Sequence, residues 1–82
     1  MRIRVVCCAG YRGEQEPRRF WLGERALDVQ EIVDRWLHPE HRYFKVRADD
    51  GREYVLRHDQ AYDAWELAAL VGPAAQAGQR HH

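Results

Sequence analysis

The sequence predicts a small all-β domain, five or six antiparallel strands curled into a partly open barrel of the SH3-like class. Three features point there. Short runs rich in Tyr, Phe, Val, Ile and Leu alternate apolar with polar residues, the period-2 pattern of a half-buried strand. Asp50-Gly51 lies between two such runs, which is the strongest short-range hairpin signal. Gly, Pro and Asp punctuate the remaining runs at short intervals. The competing architecture is α+β, with a sheet packed by one helix at 26–37.

Taken in order, Arg2 to Ala9 places Ile3, Val5, Cys7 and Ala9 on one face, as a strand does. Gly10 to Pro17 reads as a loop by its glycines, charges and proline. Its Gly-x-x-Gly spacing is too common in turns to signal a phosphate cradle. Arg18 to Leu22 reads as a second strand, with Phe20 and Leu22 on one face and Arg19 and Trp21 on the other. Gly23-Glu24 turns the chain.

Ala26 to Leu37 fits two structures. Ala26, Val29, Val33 and Leu37 make a helical stripe with Ile32 and Trp36 beside it. Yet Val29, Ile32, Val33 and Trp36 are strand formers, and no capping residue immediately precedes the run. A long strand with a bulge near Gln30-Glu31 would bring Leu27, Val29, Ile32 and Trp36 to one side. His38-Pro39-Glu40-His41 then ends either element at its proline.

Arg42 to Arg57 is the hairpin on which the rest depends. A two-residue loop at Asp50-Gly51 sets Phe44 opposite Arg57. A three-residue loop, Asp49-Asp50-Gly51 with the glycine left-handed, sets Phe44 opposite Leu56, Val46 opposite Tyr54 and Arg47 opposite Glu53. Each buried apolar side chain contributes roughly 1.5–3 kcal/mol. A cross-strand ion pair adds only about 0.2–1 kcal/mol. Burial therefore selects the three-residue loop, with Phe44, Val46, Ala48, Tyr54 and Leu56 inside.

Asp59 to Asp63 turns the chain once more. Ala64 to Ala68 reads as a closing strand carrying Trp65 and Leu67 inward, although Asp59 as cap and Gly72-Pro73 as stop equally suit a helix over 60–71. The expected domain spans 1–71, followed by a flexible C-terminal tail, 72–82.

Composition narrows the function. The 82 residues carry 13 basic and 13 acidic side chains, so no net field favours a non-specific polyanion binder. The chain has no Ser, Thr or Asn, hence no hydroxyl nucleophile and no hydroxyl for a phosphate-loop magnesium. The adjacent Cys7 and Cys8 do not form a disulfide framework. With His38 and His41 they also make a poor zinc set, because neighbours on a strand point to opposite faces. Glu14/Glu16 and Asp49/Asp50 sit in expected turns, where solvated carboxylates are ordinary. His58 opens no recognisable triad and reads as a strand-end residue. The longest apolar run, Val5 to Gly10, is too short to span a bilayer, and the N-terminal residues make a poor signal peptide. The expectation is a cytoplasmic protein without membrane contact, metal, cofactor or catalysis.

The pattern Pro17…Phe20…Gly23…Val29…Ile32…Asp34-Arg35-Trp36…Tyr43-Phe44-Lys45-Val46…Gly51…Tyr54-Val55-Leu56…Asp59…Trp65-Glu66-Leu67 resembles a family of short uncharacterised bacterial proteins, a domain of unknown function. It also resembles the C-terminal region of the catalytically inactive Y-family-polymerase-like proteins of mutagenic repair. There, Tyr-Phe-x-Val…Gly-x-x-Tyr…Trp-x-Leu follows the polymerase-like body. The resemblance covers Pro17 to Leu67, implies strands at Ala26–Trp36 and Ala64–Ala68, and transfers no catalytic residue.

One surface remains as a candidate site. Arg19, Trp21, Tyr43, Lys45, Arg47 and Arg57 all point outward in the expected registers, mixing cations with flat aromatics. Such a face suits base stacking and phosphate tracking. The plainer reading is a solvated sheet face, since Glu53 and the zero net charge dilute its field. The expectation is a non-catalytic interaction module with an unidentified protein partner, and single-stranded or damaged nucleic acid as the alternative ligand.

Overall fold

A computed structural model describes residues 1–9 and 15–73. Six strands follow one another: β1 (Arg2–Ala9), β2 (Gln15–Leu22), β3 (Arg25–His38), β4 (His41–Ala48), β5 (Arg52–Asp59) and β6 (Ala64–Pro73). Every neighbouring pair is antiparallel and the order closes into a small all-β barrel of the SH3-like kind, with no helix among the described residues. No described element is therefore a helix long and apolar enough to cross a membrane. Closure is thin: β1 meets β6 only at Arg2↔Glu66 and Ile3↔Trp65.

The central hairpin has the register that burial demands. Phe44 faces Leu56, Val46 faces Tyr54 and Arg47 faces Glu53. Gly51 sits at φ 82° and donates its amide to the Ala48 carbonyl at 3.0 Å, closing the three-residue loop. The Tyr54 ring is buried against Phe20, edge to face at 5.2 Å, while its hydroxyl reaches the Asp50 carboxylate. Phe44 and Trp65 pack at 5.6 Å, and Ile3, Leu27, Val46, Ala48 and Leu56 complete the core. One expected detail differs: Arg47 pairs with Glu31 on β3 at 2.5 Å, and Glu53 instead takes Lys45 at 3.6 Å.

Neither possible helix forms. β3 is one 14-residue strand, with register shifts between Val29 and Glu31 and between Ile32 and Asp34. The first shift is the bulge expected near Gln30-Glu31. It explains the helix-like spacing, because Val29 and Ile32 face Ala48 and Val46 with one extra residue between them. The second shift, at Val33, corrects the expected side of Trp36. An extra residue reverses the alternation, so Trp36 faces Tyr43 on the outside instead of joining Leu27, Val29 and Ile32. β3 pairs β2 from Arg25 to Asp28 and β4 from Val29 to His38, so it passes from one sheet into the other.

β2 begins at Gln15, earlier than Arg18, and Pro17 is buried opposite Cys7 beside a third bulge. The expected loop of Gly10 to Pro17 otherwise lies outside the described residues. β6 continues past residue 71, pairing Gly72 with Glu53 and Pro73 with Arg52. The rest of the expected tail, 74–82, lies outside the described residues.

Candidate interaction surface

The six side chains of the expected basic-aromatic face are divided by the barrel. Arg19 and Trp21 lie on β2, which contacts β1 and the start of β3. Tyr43, Lys45, Arg47 and Arg57 lie on β4 and β5 in the other sheet. Each of the four cations also meets a carboxylate. Arg19 Nε lies 2.5 Å from Asp28, Arg47 2.5 Å from Glu31 and Lys45 3.6 Å from Glu53, and Arg57 pairs with Glu66. The hydrogen bond from Arg19 holds the Asp28 carboxyl below its ordinary range, and Asp28 in turn raises the guanidinium. Trp21 carries the Arg4 guanidinium 4.4 Å above its ring. The face is a patchwork of neutralised pairs, not a continuous cationic track.

Tyr43 belongs to a different cluster. Its ring stacks on Trp36 with centroids 5.2 Å apart and planes 3° from parallel. His41 lies 6.2 Å beyond Tyr43, and His38 lies 6.1 Å from His41. The ladder accounts for the set: Trp36↔Tyr43 and His38↔His41 are facing pairs two residues apart, so all four rings share one side of the β3–β4 hairpin. Residues 33–40 are exposed throughout, with Trp36 at 42% and Leu37 at 77%. A groove of about 490 Å³ beside the stack is lined by Arg35, Leu37, Arg42, Phe44 and Gln60 together with the two stacked residues. Arg35 is anchored to Glu16 at 2.8 Å.

Trp36 is the residue that strand counting misses. Its place follows only if two bulges, at Gln30 and Val33, are counted before it. The sequence signal was there in Val33, a residue with no inward place once Ile32 is assigned to the core.

His58 is the strand-end residue expected, next to last in β5. It is buried at the inner end of β5, stacked on Trp65 at 4.4 Å, with Nε2 2.9 Å from Asp63 Oδ1. Asp63 holds this position with a left-handed φ of 52°. Cys7 faces inward nearby. Burial raises its thiol pKa, Asp63 and Cys8 raise it further, and Arg42 opposes them. A thiol shifted this way is a poor nucleophile at neutral pH. Among the described residues no three His, Cys, Asp or Glu side chains are grouped to hold a metal.

No family model, no curated protein and no solved structure matches the chain.

Proposed function

We propose that this chain is a non-catalytic protein-interaction module of the cytoplasm, and that its contact element is the β3–β4 hairpin. The observation that carries the reading is the parallel Trp36–Tyr43 stack, half exposed and flanked by Leu37 on a hairpin whose residues 33–40 are all exposed. Large aromatic rings held rigid by a neighbour contribute much contact area at little entropic cost. The carboxylate partners of Arg19, Lys45, Arg47 and Arg57 favour a protein ligand over a polyanion. The non-catalytic reading rests on the residue chemistry. The chain has no Ser or Thr, and Asp50 is committed to the turn that it organises. Two unpaired cysteines suit a reducing compartment.

The resemblance of Pro17–Leu67 to the appended region of inactive polymerase-like proteins makes a DNA repair assembly the first setting to test. A photoreactive side chain at Leu37, introduced in cells, should cross-link to a defined protein, and Trp36→Ala should abolish that product without altering the fold. An unchanged product from Trp36→Ala overturns the assignment. Salt-dependent binding of single-stranded oligonucleotides, lost with Trp36→Ala, would transfer the same ring stack to a nucleic-acid ligand.

A further inference from the structure

The turn that joins β3 to β4 carries two imidazoles used by neither the Trp36–Tyr43 stack nor the core. His38 and His41 flank a two-residue turn, Pro39-Glu40, and face each other directly in the ladder. Proline at the first central position of such a turn fixes its backbone, so the separation of the two strands is set by the main chain. Directly opposed residues hold their Cβ atoms about 4.5–5.5 Å apart. The two rings lie with centroids 6.1 Å apart and planes 45° from parallel. His38 is exposed and His41 partly so.

Two imidazoles that ligate one tetrahedral ion through metal–nitrogen bonds of about 2.0–2.1 Å put their ring centroids roughly 5 Å apart. A rotation of the exposed His38 side chain can close that gap. His41 is already oriented. Its Nε2 lies 3.9 Å from Oδ2 of Asp59, the residue that faces it on β5. Asp59 Oδ1 in turn accepts from the amides of Ala61 at 3.0 Å and Tyr62 at 3.4 Å, which fixes the carboxylate. A carboxylate beside one ring nitrogen orients a histidine and makes its other nitrogen a better ligand. That leaves Nδ1 of His41 for an ion.

We propose that His38 and His41 form a two-imidazole site for a late first-row divalent ion, Zn2+ or Cu2+, with water in the remaining positions. Imidazole suits these ions, whereas Mg2+ and Ca2+ prefer oxygen. With two protein ligands the site is a surface chelate, unlike the closed four-ligand centre of a structural zinc domain. The ion bridges β3 to β4 at their turn and stabilises the folded chain by its affinity for that state. The site does not depend on a partner at Trp36 and Tyr43.

His81 and His82 are a second pair of imidazoles in the chain, so the test must report position. Substoichiometric Cu2+ added to the isotope-labelled full chain should broaden the amide signals of residues 36–43. Zn2+ should raise the melting temperature, and Mg2+ should not. His38→Gln and His41→Gln should each remove the broadening and the rise while leaving the metal-free melt unchanged. Trp36→Ala should keep both responses, which separates this site from the hairpin contact. Broadening confined to residues 81–82, or responses that survive His38→Gln, overturns the proposal. Should His41→Gln disturb the fold through Asp59, the exposed His38→Gln decides alone.

Discussion

The Tyr54 hydroxyl donates to the Asp50 carboxylate across 2.5 Å, tying a ring in the middle of the core to the tip of the central hairpin. Asp50 also accepts from the Arg52 amide at 3.0 Å and meets Arg25 at 3.2 Å. Core and turn thus form one unit. Tyr54→Phe keeps the ring and its packing on Phe20 but leaves Asp50 short of a donor. Hydrogen bonds to charged groups contribute about 1.5–3 kcal/mol, and urea unfolding should show a loss of that size. Equal stability of the two proteins would mean that water replaces the hydroxyl without cost.

The same pair gives stability two pH limbs. Burial raises the Asp50 carboxyl, but the Tyr54 and Arg52 hydrogen bonds and the charges of Arg25 and Arg52 outweigh it and hold the group below its ordinary 3.8. Its contribution is therefore complete above that value and disappears as pH falls through the lower folded one. Burial, then the Asp50 bond, raises the Tyr54 phenol above its ordinary 10.0. Stability from this group is complete below pH 10 and declines as pH rises towards the folded value, because the unfolded chain gives up the proton first. Thermal melts across pH should show both limbs, and Tyr54→Phe should flatten the alkaline one.

Gly51 has open space where a Cβ would stand, yet its φ of 82° strains any L side chain. Gly51→Ala should cost about 1–2 kcal/mol, from backbone strain alone. Gly51→Asn should recover part of the loss, since asparagine tolerates the left-handed region better. Denaturant midpoints for the three proteins test the ranking. Equal loss from Ala and Asn would point to side-chain contact instead.

Exposed ion pairs contribute little to folding because water and salt screen them. Glu31→Gln should therefore leave the unfolding midpoint nearly unchanged while releasing Arg47. Retention on a heparin column at low salt should increase. A large drop in stability without added retention would show the pair to be structural.

Cys7 should be a slow thiol. In a Cys8→Ala protein, alkylation by iodoacetamide at neutral pH should run slower than for an unstructured peptide cysteine and approach it on unfolding. The cause is burial, reinforced by Asp63. Reaction as fast as the peptide would place the thiol in solvent.

Local rules made much of this barrel legible. The Asp50-Gly51 turn, the period-2 faces of β4 and β5, and the strand signals of β1 and β2 are all written in neighbouring residues, because a side chain one position on must point to the other face. The helix-like spacings in the chain share one cause. Pro17 and Phe20, Val29 and Ile32, and Leu67 and Leu70 stand three apart, a spacing that reads as one turn of helix. In the barrel each is a period of two plus one bulged residue. Periodicity alone does not separate the two, since the deciding contact is with a strand distant in sequence.

What the chain determined by itself was its strand-forming composition, the loop at Gly51 and the apolar set that must leave water. Tertiary structure decided where each bulge falls, and with it the outward turn of Trp36 onto Tyr43. It also decided which carboxylate meets each cation and where β1 meets β6. Those outcomes depend on how six strands close around one core of fixed volume, a constraint that no local stretch of sequence contains.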